Sequence, residues 1–205
     1  MTPTQPSSRK RGRPPTYDAD TALTAALHLF WLKGFGGTSL DDISAATGMT
    51  RPSLYAAFGD KKALYRKALE KFSVDFLGSL ERTLFAGLNI EEDLINFYLA
   101  AAQTYRSESS PARGCPMFCT APTGAGIDVE VRSDLARVLN KIDEVLALRF
   151  KQAKKQGQIR QSAKPHVLGQ MAGAVLCSLA IRIRARQAVD LDCYIRDTVR
   201  EMLKK

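Results

Sequence analysis

The sequence predicts an all-α protein: an N-terminal three-helix unit with a helix-turn-helix layout, followed by a larger C-terminal helical domain. Three observations predict it. From Tyr17 onward apolar residues recur at three- and four-residue steps, the spacing of one helix face, and no stretch alternates as a strand does. Glycines stand where helices must stop, at Gly34, Gly48 and Gly157. Thr, Ser or Asp residues stand where helices must start, with a side-chain oxygen ready to accept from the free backbone N–H groups of a first turn.

The elements follow in order. Residues 1–16 carry Pro, Ser, Thr and basic residues without apolar periodicity and read as a disordered basic tail. A first helix is expected from Asp18 to Lys33, with Leu23, Ala26, Leu27 and Phe30 on one face and Gly34 at the stop. A second runs from Ser39 to Thr47; Thr38 is expected to cap it, with Asp41 completing a capping box and Leu40 and Ile43 inward. Gly48 supplies a tight turn into a third helix that Thr50 caps and that ends at Phe58. Pro52 sits in its first turn, where a missing N–H costs nothing. A long helix from Lys61 to about Leu84 and a fifth from Glu91 to Ser107 come next. The Pro/Gly-rich segment 109–126 is expected to be a loop with a short helix near 115–121. Helices at Asp128–Gln156, Pro165–Ala188 and Asp190–Leu203 complete the chain. The domains are thus the tail, a helix-turn-helix unit over 17–65, and a helical domain over 66–205.

Bulk properties narrow the function. The chain has 205 residues, 45% of them hydrophobic, enough for one sizeable core or two small ones. No run of 18 apolar residues is present, so no membrane partner is expected. No apolar stretch follows the basic N-terminus, so no secretory leader is expected and the location read is cytoplasmic. A net charge of +9 favours a polyanionic partner. The four cysteines, Cys115, Cys119, Cys177 and Cys193, show no CxxC spacing, and only two histidines are present. No metal site, cofactor or catalytic residue is expected. An enzyme would need a pair such as Cys115 with His166, and no glycine-rich phosphate loop or metal motif accompanies them.

The stretch from Ala22 to Leu64, ALTAALHLFWLKGFGGTSLDDISAATGMTRPSLYAAFGDKKAL, carries a more specific pattern: AAL-x-LF in the first helix, KGF before a Thr, DDI in the second, TGM before the third, then SLYAAFGDK. It resembles the DNA-binding region of the TetR family of transcription regulators over about a fifth of the chain. The resemblance implies a homodimeric regulator, most often a repressor, that leaves its double-stranded DNA operator when a small-molecule effector binds. Ser44 and Thr47 stand where the family often has Ala, and both remain small enough for close helix crossing.

In a helix-turn-helix the second helix of the motif enters the major groove with its N-terminal residues on base edges. Here its exposed first turn is Thr50, Arg51 and Ser53, and Arg51 is the candidate for a bidentate contact with guanine O6 and N7. Thr38 offers a hydroxyl to a phosphate. The resemblance adds Tyr55 and Lys61 as phosphate contacts, and Lys62 is placed to assist. In the tail, Arg11-Gly12-Arg13-Pro14 is the core of an AT-hook-like pattern suited to a narrow minor groove. The alternative is a mobile tail whose Arg11 and Arg13 add phosphate contacts without sequence preference.

A ligand pocket in the second domain would be mostly apolar. Its candidates are Phe97, Tyr98, Tyr105, Met117, Phe118, Cys119, Ile142, Leu146, Met171 and Val175, with an ordinary core role as the alternative for most. Following the family, the helices near 165–203 are expected to form the dimer. Small residues Ala172, Gly173, Ala174 and Ala180 would admit a partner helix, and Leu176, Leu179, Ile183, Ile195, Val199 and Leu203 would supply apolar bulk; the alternative is that these residues face the chain's own core, and both are expected to hold in part. Cys115 and Cys119 stand four apart with Arg113 nearby. Helical spacing would stack their sulfurs, and a basic neighbour would favour a thiolate. That raises a second expectation, a repressor released by an oxidant or electrophile; the alternative is buried, apolar packing.

Overall fold

The computed structural model describes residues 18–87, 89–106, 113–187 and 190–204. Among them the secondary structure is helical throughout: α1 (Ala19–Gly37), α2 (Leu40–Thr47), α3 (Arg51–Phe58), α4 (Lys61–Leu84), α5 (Ile90–Tyr105), α6 (Pro116–Cys119), α7 (Ala121–Ala125), α8 (Val129–Lys155), α9 (Pro165–Arg184) and α10 (Leu191–Leu203). The expected tail, with Arg11 and Arg13, lies outside the described residues.

Local chemistry sets the boundaries. The Asp18 carboxylate accepts from the backbone N–H groups of Asp20 and Thr21 and starts α1. Gly34 has φ +73°, a conformation few residues other than glycine adopt, and it breaks α1 from the short turn that ends at Gly37. Gly48 stands at φ +68° and ends α2 in the left-handed conformation. The expected single short helix near 115–121 is two, broken at Thr120.

One continuous core runs through the molecule. In the N-terminal unit Phe30, Ile43, Leu54 and Phe58 are buried, drawing α1, α2 and α3 together. Phe30 meets Tyr65 edge-on at 5.0 Å and Trp31 meets Phe72 at 5.1 Å, so α1 is fixed to α4 by aromatic contacts. The Tyr65 hydroxyl pairs with Thr120 Oγ1 at 2.8 Å, and the Tyr98 hydroxyl donates to the Ala172 carbonyl at 2.8 Å. Asp93 on α5 and Arg149 on α8 form an ion pair at 2.7 Å with side chains 0% and 3% exposed. Removing one partner of such a pair costs about 3–5 kcal/mol, because a bare charge stays behind in the core.

The crossing of α8 and α9 takes up most of the small residues of α9. A Cβ at Gly169 would lie 2.8 Å from the Ala147 backbone nitrogen, and one at Gly173 would lie 2.6 Å from Asp143 Oδ1. The glycines of α9 therefore admit the chain's own α8. Ala172, Ala180, Leu176, Leu179, Ile183, Ile195 and Val199 are likewise buried within the subunit. What α9 turns outward is a stripe of Val167, Met171, Ala174 and Ile181, of which Ala174 is the one small residue expected to meet a partner. By length and composition α9 is also apolar enough to cross a membrane. It buries one face against α8 and ends in Arg182 and Arg184, as a core helix does.

Candidate nucleic-acid interface

The capping of α2 and α3 aims the interface. Ser39, not Thr38, caps α2: its hydroxyl accepts from Asp42 N–H at 3.0 Å, and the Asp42 carboxylate accepts from Ser39 N–H at 2.8 Å. Lys33 adds an ion pair to Asp42 at 2.7 Å, and this pair together with the Ser39 hydrogen bonds holds the Asp42 carboxyl well below the usual carboxylate range. Thr38 is only 1% exposed, with its hydroxyl donated to the Gly34 carbonyl at 2.8 Å. The expectation that Thr38 offers its hydroxyl to a phosphate is corrected, because the turn at Gly34 rolls that side chain inward.

α3 is held by its apolar side and offers the other. Thr50 caps it, accepting from Ser53 N–H at 3.3 Å, and the Thr50 and Ser53 hydroxyls pair at 2.9 Å. Leu54 and Phe58 are buried, whereas Arg51 is exposed and Tyr55 is 51% exposed. The spacing of one helical turn between Arg51 and Tyr55 places both on the outward face. Arg51 forms a bidentate ion pair with Asp41 of α2, Nε to Oδ1 at 2.9 Å and Nη2 to Oδ2 at 2.5 Å, which raises the guanidinium pKa further.

Gly59, at φ +85°, and Asp60 turn the chain directly into α4, with the Asp60 carboxylate accepting from Ala63 N–H at 2.7 Å. Lys61 thus sits in the first turn of a 24-residue helix, beside free backbone N–H groups and the positive end of the helix dipole. Its ammonium lies 4.4 Å from the Phe35 ring centre, which holds it against the end of α1. Lys62 points elsewhere: it pairs with Asp128 at 3.2 Å and Glu130 at 2.7 Å, and Arg66 pairs with Glu130 and Asp134. These pairs tie the start of α4 to the start of α8.

A second feature joins this unit to the helical domain. A cleft of about 340 Å³ lies between α1, α4 and α5, with Leu27, Trp31, Phe72 and Phe76 as apolar walls and Lys71, Asp75 and Arg113 among its polar groups. The Arg113 guanidinium stacks 5.4 Å from the Trp31 ring centre. Trp31 Nε1 donates to the carbonyls of Arg113 and Gly114, both at 3.1 Å. Arg184, the last residue of α9, donates to the carbonyls of Trp31 at 2.9 Å, Arg113 at 3.1 Å and Leu32 at 3.2 Å. The end of α9 is therefore bonded to the end of α1.

The sequence missed Trp31, Phe72 and Phe76 as cleft residues and named others. Phe97, Tyr98, Tyr105, Met117, Phe118, Ile142 and Leu146 are core residues. Tyr105 backs the cleft, its ring 5.4 Å from that of Phe76. Met171 and Val175 lie apart from the cleft and line an outward groove between α9 and α10 with Ala174, Thr198 and Met202. Asp197 and Glu201 also border that groove. Cys115 is buried, and burial pushes its thiol up to about 12. Cys119 is half-buried; burial pushes its thiol up too, and the basic neighbour that opposes this is Arg184 rather than Arg113. Among the described residues no group of three His, Cys, Asp or Glu side chains is placed to hold a metal ion.

An α3 that is anchored by Leu54 and Phe58 and projects Arg51 and Tyr55, packed across a glycine turn on a capped α2, defines a helix-turn-helix DNA-binding protein. Residues 22–68 match the bacterial regulatory proteins of the tetR family. The chain is 32% identical to the HTH-type transcriptional repressor ComR of Escherichia coli over 92% of this chain and 89% of that one. It is 33% identical to the HTH-type transcriptional repressor BdcR of the same organism over 55% and 56% of the two chains. Among solved structures it is similar to the TetR family regulator CifR, a cysteine mutant bound to 26-bp operator DNA. The two share 26% identity with a TM-score of 0.81, over 94% of this chain and 98% of that one. The fold is shared also with the reduced form of E. coli NemR, at a TM-score of 0.80 and 14% identity over 90% and 96% of the chains. The chain belongs to the TetR family and is a DNA-binding transcriptional regulator.

Proposed function

We propose that the protein is a homodimeric, cytoplasmic repressor whose two α3 helices read a palindromic operator and which leaves the DNA when a small apolar or aromatic effector enters the cleft between α1, α4 and α5. The observation that carries the DNA-binding part is the outward display of Arg51 and Tyr55 on an α3 locked from behind. Arg51 meets base edges, Tyr55 and Lys61 meet phosphates, and residues 17–65 act as the reading unit. The apolar face of Val167, Met171, Ala174 and Ile181 on α9, continued by Met202 on α10, supports pairing of two subunits there.

The cleft supports effector release because both domains build it. Leu27 and Trp31 belong to α1, and Phe72 and Phe76 to α4, the helix that begins at Lys61. A ligand that prefers one spacing of these helices shifts the reading unit by its difference in affinity between the two arrangements. Release by oxidation of Cys115 has less support, since its thiol is enclosed and protonated at neutral pH.

Selection of bound duplexes from a random library tests the reading. The expected product is a two-fold symmetric site, bound by two subunits whose half-sites lie ~34–36 Å apart or a multiple of that. Enrichment of no sequence, or of an asymmetric site held by one subunit, refutes it. Loss of binding by the selected site on adding hydrophobic aromatic compounds, absent in Phe72→Ala, tests the cleft.

A further inference from the structure

The ion pair between Arg51 and Asp41 has no evident role in folding. Both side chains are exposed, at 55% and 73%, and an exposed pair adds little to stability. Its position is unusual for another reason. Asp41 places a carboxylate on the face that must approach a phosphate-lined groove, where an unpartnered negative charge opposes binding. The geometry of the pair resolves this. The carboxylate occupies the Nε and Nη2 edge of the guanidinium. A guanidinium has five N–H donors in a rigid plane, and this use leaves the Nη1 and Nη2 edge intact. That remaining edge has the spacing to donate to guanine O6 and N7 together.

We propose that Asp41 is the specificity-setting partner of Arg51: it orients the guanidinium toward a guanine and prevents the same cation from settling on phosphates. The inference rests on the reading of α3 as the DNA-contacting helix. Without Asp41 the Arg51 side chain regains its rotamers and loses the neighbouring negative charge, so affinity for any duplex rises while preference for guanine at one position of each half-site falls. Asp41 does not itself read a base; its effect passes through Arg51.

A double-mutant cycle tests this on the selected operator, on the operator with the guanine contacted in each half-site replaced, and on random duplex. Wild type, Asp41→Asn, Arg51→Ala and the double variant are compared, each checked for unaltered thermal unfolding. Wild type is expected to prefer the guanine by between ~5-fold and ~150-fold. Asp41→Asn is expected to lose most of that preference and to bind random duplex more tightly. The double variant is expected to show the same lack of guanine preference as Arg51→Ala, with binding raised alike on all three duplexes because the carboxylate bared by Arg51→Ala is gone. An Asp41→Asn protein that keeps the wild-type preference overturns the inference. So does a change in guanine preference on Asp41→Asn that persists in the Arg51→Ala background, since Asp41 then reads DNA on its own. If wild type binds none of the duplexes, the reading of α3 fails and this inference falls with it.

Discussion

Replacing Gly114 with Ala perturbs the joint between the two domains, and the structure sets the size of the effect. Gly114 has φ +66°, and an added Cβ would stand 2.6 Å from the Ala180 carbonyl oxygen and 2.7 Å from Cys119 Sγ. The left-handed backbone costs an L side chain about 1–2 kcal/mol. Separations under 3.0 Å force a shift in α9 or in the segment that carries Cys119, and such overpacking costs about 1–3 kcal/mol. The sum is about 2–5 kcal/mol, which for a chain of this size lowers Tm by ~4–20 °C. The Gly114 carbonyl also accepts from Trp31 Nε1, so the shift reaches α1. Thermal unfolding by circular dichroism measures the first effect, and operator affinity at a temperature where both proteins are folded measures the second. Wild-type Tm within 2 °C for Gly114→Ala would refute the packing described for this joint.

Other perturbations have equally definite outcomes. Arg184→Met removes donors to the Trp31, Leu32 and Arg113 carbonyls, so operator affinity should respond less to effector while the selected site stays the same; fluorescence anisotropy titrations with and without effector check this. Lys61→Ala should weaken operator and random DNA alike and flatten the plot of log affinity against log salt by about one unit. Deleting residues 1–16, which removes Arg9, Lys10, Arg11 and Arg13, should flatten the same plot by up to about four units. At pH 8 Cys115 should resist a thiol reagent until the protein unfolds, because its pKa is pushed up to about 12, whereas exposed Cys193 should be accessible to it. Asp42, Asp128 and Glu130 have carboxyls held below their ordinary values by Lys33, by backbone hydrogen bonding at Val131 and by Lys62 respectively. Folded pKa values below the unfolded ones give stability that is complete above about pH 5 and is lost as pH falls through the folded values, so Tm should drop below about pH 4.5.

Much of the reading unit was legible in the sequence because its signals are local. Thr50, Pro52 and Gly59 bracket α3 within ten residues, and Leu54 with Phe58 declares its buried face. The start of α2 was misread by one residue, since Thr38-Ser39 followed by Asp41-Asp42 offers two equivalent capping boxes in tandem. What decides between them is the φ of Gly34, which turns Thr38 onto a carbonyl four residues back. The helical domain was legible in its helix boundaries and illegible in its partners. Small residues on α9 announce a close helix crossing, yet nothing in their spacing says whether α8 or a second subunit fills it. The cleft had no local signature at all: Trp31 and Phe72 come from distant segments, and only the packing of α1 on α4 brings them together. The Asp41 and Arg51 pair belongs to the same class, two exposed charges on different helices joined across a turn.

Hydrogen exchange of the protein with and without its selected duplex tests the central claim most directly. Protection should concentrate in residues 39–62, strongest at the first turns of α2, α3 and α4, with little change along the outward stripe of α9. Protection that instead gathers on α8 to α10, leaving Arg51 and Tyr55 exchanging as in the free protein, would contradict the account.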